Sequence, residues 1–151
     1  MNILLTDKTI DPWQVLQAYE ATQQQLHGKH GAMVTFIGTM RDINEGAAVQ
    51  AMHLEHYPEM TQKHMEKIAE EAQQRWDILD VMMQHRFGDI RPNDTIVVLA
   101  VWSAHREEAF QACRFLIEEL KRRAPFWKKE TLTNSDSDNR SDSRWVQTKP
   151  V

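Results

Sequence analysis

The chain has 151 residues, 41% of them hydrophobic and 26% charged, which is enough apolar side chain for one core and too much for a disordered segment. A formal net charge of -4 argues against a general nucleic-acid binder, which would be basic overall, while leaving room for a local basic site. A single cysteine, Cys113, rules out an intrachain disulfide, and no apolar run reaches membrane-spanning length.

The opening MNILLTDKTIDPW has no basic stretch followed by a long apolar run, so no signal peptide is expected, and a soluble cytoplasmic protein is. Ile3 to Leu5 is a short strand candidate. Asp11-Pro12 supplies an N-cap and a first-turn proline for a helix that buries Trp13, Val15, Leu16 and Tyr19 and fades before Gly28. Met33 to Ile37 is a strongly apolar strand that runs into Gly38. Thr39 to Gly46, with Arg41, Asp42, Asn44 and Glu45, is a polar loop. Val49 to Tyr57 is the next strand. Pro58 opens a helix in which Met60, His64 or Met65, Ile68, Ala72 and Trp76 recur about every four residues.

Ile78 to Phe87 and Thr95 to Trp102 are strands, with a turn signal at Arg91-Pro92-Asn93-Asp94, so they are expected to form a hairpin. A helix follows from Ser103 or Ala104. Its stripe is Ala109, Phe110, Cys113, Leu116, Ile117 and Leu120, and it ends before Pro125. Thr131 to Ser143, rich in Ser, Asp, Asn and Thr, is expected to be a mobile loop. Trp145-Val146 docks the tail on the body. Strands and helices alternate loosely around a hairpin, so residues 1–151 read as one α+β domain with three main helices.

The chemistry gathers at the two ends of the last helix. Lys121, Arg122, Arg123, Lys128 and Lys129 fall within nine residues, interrupted by Pro125, Phe126 and Trp127. Lys121 lies about 40° around the helix from Ile117, at the border of the apolar stripe. Partial desolvation and the neighbouring cations would lower its pKa, while the helix C-terminus would raise it. The plain alternative is a lysine that caps the dipole. Lys128 and Lys129 can bind phosphate or carboxylate, or can be a solvated pair on a surface turn. His105-Arg106 opens the helix beside free N–H groups that suit an anion, or makes a local salt bridge, for instance to Glu108. Arg41 sits in a loop at a strand end, where function often resides, or pairs with Asp42 or Glu45. His53 and His56 are three apart on a strand and face opposite sides, so no metal site is expected. Cys113, inside an apolar stripe, reads as core and not as a nucleophile.

Several motifs in order resemble the large, catalytic subunit of molybdopterin synthase over nearly the whole chain. They are Val34-Thr35-Phe36-Ile37-Gly38 with Arg41 and Asn44, and Leu54-Glu55-His56-Tyr57-Pro58 with Met60. His85-Arg86-Phe87-Gly88 follows, then Ser103-Ala104-His105-Arg106 with Ala109-Phe110. The series closes on Lys121 to Glu130 and on Arg144-Trp145-Val146. The resemblance implies an α/β hammerhead fold with mixed and antiparallel strands, and a homodimer that joins two small subunits in a heterotetramer. It implies a ubiquitin-like partner ending in Gly-Gly, whose C-terminal thiocarboxylate supplies sulfur. Two sulfurs go to cyclic pyranopterin monophosphate to form the molybdopterin dithiolene, with no metal or organic cofactor. It makes Lys121 and Lys128 the catalytic pair and assigns Arg41, His105 and Arg106 to the substrate pocket. On that reading Lys121 transfers a proton or positions the tail, and Lys128 steadies negative charge. Two alternatives remain at this stage. One is a non-catalytic scaffold for a ubiquitin-like partner. The other is an anion- or nucleic-acid-binding module that stacks bases on Phe126 and Trp127.

Overall fold

A computed structural model describes residues 1–44, 47–124, 126–132 and 143–146. The first sheet has the order β1-β5-β7-β2, from β1 (Asn2–Thr6), β5 (Ile78–Arg86), β7 (Thr95–Ser103) and β2 (Ala32–Thr39). Strand β1 runs parallel to β5, and the other pairs are antiparallel. The expected pairing of the two strands around Arg91–Asp94 is present, since β5 and β7 lie side by side.

Strand β7 explains why this sheet is central. Its sequence is a nearly unbroken apolar run because both of its faces are covered. Val97, Leu99 and Val101 join one core with Val81 and Met83 of β5. Helices α2 (Pro58–Arg75) and α3 (Arg106–Arg123) close that core with Met65, Ile68, Ala72, Ala112, Leu116 and Leu120. On the other face Val98, Ala100 and Trp102 meet Leu16 of α1 (Pro12–Thr22) and Leu26 of a short 3-10 turn. Asp11 caps α1 through its side chain, which accepts from the N–H groups of Trp13 and Gln14 at 3.1 Å.

The second sheet is built on β4 (Ala47–His56). It pairs with β3 (Ile43–Asn44), with β6 (Gly88–Ile90) and with β8 (Phe126–Leu132), and β8 pairs in turn with β9 (Ser143–Val146). Its inner face carries Met52, Leu54 and Ile90, which form a third core with Met40 and Val49. Gly88, at φ +80, takes the chain from β5 in one sheet to β6 in the other. Arg86 braces that corner. Its guanidinium donates to Asp94 at 2.7 Å and to the Asp89 carbonyl at 2.8 Å, and the Arg91 N–H and that guanidinium hold the Asp94 carboxyl below its usual range. The α+β architecture with three main helices and mixed strands is therefore as expected.

Four local expectations are corrected. Trp13, Met60 and Phe110 are exposed, not buried. The buried stripes run through Leu16 with Val15 and Tyr19, through Thr61, Met65, Ile68, Ala69 and Ala72, and through Ala109, Ala112, Cys113, Leu116 and Leu120. At 100° per residue the three side chains stand roughly 100–120° from the centres of those stripes, so each points outward. The fourth correction concerns 131–143. Thr131 and Leu132 belong to β8 and Ser143 to β9, and the rest of that segment lies outside the described residues.

Candidate active site

Strand β8 decides the fate of the basic cluster. Lys128 and Lys129 occupy successive positions of a paired strand, not a surface turn, so they face opposite sides. Lys128 stands opposite Leu54, a residue only 1% exposed, on the inner face of the sheet. Lys129 stands opposite His53 on the outer face, its ammonium 5.8 Å from the centre of the exposed Trp145 ring. Two adjacent lysines of the same chemistry thus have different environments.

Burial above all, then the positive charges of Lys121 and Arg41, push the Lys128 ammonium below the ordinary lysine value; Glu130 pulls the other way. Desolvation therefore falls on Lys128, not on Lys121 as expected from the helix, because Lys121 projects from the last turn of α3 into solvent. Arg122 and Arg123 do not crowd it. Arg122 is paired with Glu119 at 2.7 Å. Arg123 grips both oxygens of Glu71 at 2.9 and 2.8 Å and Glu119 at 2.7 Å, tying the end of α3 to α2. With those two cations neutralised, the positive groups bearing on Lys128 are Lys121 and Arg41. Arg41 follows Met40, whose N–H and carbonyl are bonded to the turn at Asn93 and Asp94, so the start of that loop is held.

Sequence reasoning gave no role to Glu130, yet it orders the base of the site. It is 5% exposed, accepts from Asn44 Nδ2 at 2.7 Å, and accepts from Arg144 at 3.2 Å. Arg144 also donates to the Asn44 carbonyl at 3.0 Å, closing β3, β8 and β9 into one polar network. The available signal was the spacing of Lys128 and Glu130, two apart on a strand and so on one face. A second missed group is aromatic. His85 stacks on Phe126 with ring centres 3.9 Å apart, and His56 lies 6.1 Å from the same ring and 4.3 Å from Phe87.

His105 and Arg106 are not brought into this group. His105 is the N-cap of α3 and Arg106 its first residue, both exposed. Fifteen residues of helix separate Arg106 from Lys121, about 22 Å at 1.5 Å per residue. Within one chain the five residues expected at the site therefore form two groups, Arg41 with Lys121 and Lys128, and His105 with Arg106. Cys113 lies in the α3 core, and burial pushes its thiol up to about 11, which leaves it un-ionised and inert at neutral pH.

Residues 5–123 match the sequence profile of the MoaE protein family. A molybdopterin synthase catalytic subunit of Ralstonia nicotianae is 51% identical over 116 residues, covering 77% of this chain and 62% of that protein. One from Vibrio cholerae is 46% identical over 142 residues, covering 89% of this chain and 93% of its own length. Among solved structures, a molybdopterin biosynthesis MoaE protein from Burkholderia ambifaria superposes with a TM-score of 0.75 at 43% identity, covering 96% of this chain and 88% of that one.

Proposed function

The chain belongs to the MoaE family, and on that basis we propose that it is the catalytic subunit of a molybdopterin synthase. It is a sulfurtransferase. It takes sulfur from the C-terminal thiocarboxylate of a small ubiquitin-like partner ending in Gly-Gly and delivers it to cyclic pyranopterin monophosphate, forming the dithiolene. The supporting observation is the meeting of Lys121 and Arg41 on a desolvated Lys128, three cations from separate segments in a chain of net charge -4.

That arrangement suits the chemistry. The substrate carries phosphate and the partner's tail ends in an anion, so both are drawn to a cationic site poorly shielded by water. A thiocarboxylate is already nucleophilic, and the inert Cys113 is not needed as a carrier. What remains is positioning, charge stabilisation and proton exchange as the cyclic phosphate opens and sulfur adds. Lys128, whose ammonium is destabilised by burial, suits proton exchange and the steadying of developing charge. Lys121, exposed at the helix end, suits the partner's anionic tail. Arg41 suits the phosphate.

His105 and Arg106 fit the same pocket only if a second copy of the chain supplies them, since α3 holds them about 22 Å from Lys121. This favours a homodimer carrying two small subunits as a heterotetramer. The reaction belongs in the cytoplasm, and no helix among the described residues is long and apolar enough to cross a membrane. The test is single turnover with thiocarboxylated small partner and cyclic pyranopterin monophosphate. Dithiolene product is expected, and tight partner binding without product would favour the scaffold reading.

A further inference from the structure

Behind Lys128 lies a group of side chains with no role so far. His85, on β5, is 8% exposed. Its Nδ1 lies 2.8 Å from the Arg86 carbonyl, which can only accept, so Nδ1 carries the proton and Nε2 keeps its lone pair. That carbonyl is itself fixed, because the Arg86 guanidinium is anchored to Asp94 and to the Asp89 carbonyl. The His85 ring lies nearly parallel to Phe126, at 19° and 3.9 Å between centres. Phe126 opens β8 opposite His56 and lies on the same strand face as Lys128 two residues later. His56 leans on Phe87 at 4.3 Å, so four rings from β4, β5, the corner after β5 and β8 form one array. Burial lowers both histidines from the ordinary imidazole value, His85 to about 4.

We propose that His85 is a positioning residue for Lys128: bonded to the Arg86 carbonyl and stacked on Phe126, it fixes the segment that carries Lys128 and offers the cation cluster a hydrogen-bond acceptor in place of a charge. Among the described residues the charges that bear on Lys128 are Lys121 from α3, Arg41 from the segment after β2 and Glu130 from β8, and the positive charge of Lys128 bears in turn on His85. Glu130 is already shared with Asn44 and Arg144. A second carboxylate at position 85 would give Lys128 a counter-charge of its own, and a phenyl ring there would keep the stack and lose the acceptor.

This inference rests on the proposed role of Lys128 but can be tested without it. The full-length chain is labelled with ¹³C at the lysine ε-carbons, and Lys128 is titrated by NMR in the absence of partner and substrate. In His85→Gln the titration should stay within about half a unit of the unmodified protein. In His85→Glu it should rise by at least about one unit, as expected for an opposite charge at close range. Single turnover of His85→Phe should fall about tenfold or more while small-partner affinity is unchanged, since misplacement of a reacting group is costly. A Lys128 titration that is the same in the Glu and unmodified proteins, or an unimpaired His85→Phe, would overturn the proposal. If unmodified protein made no dithiolene, the functional reading would fail while the titration still decided the structural one.

Discussion

Lys128→Met separates catalysis from stability. The substitution keeps most of the buried stem that lies opposite Leu54 and removes only the charge. Removing one charge-stabilising contact from a dehydrated site costs about 10²–10³ in rate. The effect on stability has the opposite sign. A lysine whose folded value lies below its unfolded one binds its proton less tightly when folded. Its charge therefore opposes folding fully below the folded value, and that penalty fades as pH rises toward the unfolded value. At pH 7 Lys128→Met should be at least as stable as the unmodified chain. Each kcal/mol relieved would raise Tm by about 2–4 °C for a chain of this size. Glu130 is not orphaned by the change, because Asn44 and Arg144 still bind it. The assays are single-turnover dithiolene formation and calorimetric Tm at pH 7 and pH 10. The stability gain should shrink at the higher pH. A Lys128→Met protein that lost several degrees, or that ran at the unmodified rate, would refute the reasoning.

Lys121→Ala should fold normally and lose most activity, whereas Lys129→Ala, on the outer face of β8, should change single-turnover rate less than about threefold; equal losses would contradict the division of faces. Cys113→Ala should keep sulfur transfer and cost about 1–2 kcal/mol in urea unfolding, while native Cys113 should resist iodoacetamide at pH 7. Loss of turnover in a folded Cys113→Ala protein would overturn the reading of Cys113 as inert core. Mixing inactive Lys128→Ala and Arg106→Ala chains should restore part of the activity, because a mixed dimer has one site with both residues intact. If both variants are inactive and the mixture stays inactive after confirmed subunit exchange, the two groups do not meet across the dimer.

The sequence alone carried the fold class, since β7 reads as a strand covered on both faces and α2 and α3 show helical periodicity. It also carried the family, through motifs in fixed order, and hence the catalytic lysines as expectations. It identified Cys113 as core, because a thiol amid apolar helix positions has no other place. Other features were decided only by tertiary structure. Periodicity marks a stripe to within one residue, so Trp13, Met60 and Phe110 were placed inside although each stands beyond the stripe's edge. Lys128 and Lys129 look alike as a dipeptide, and pairing of β8 with the distant β4 turned one inward and the other outward. The same pairing moved desolvation from Lys121 to Lys128 and set Phe126 against His85. Burial, charge pairing and stacking depend on which segments meet in space, and local sequence determines only the face each residue takes along its own element.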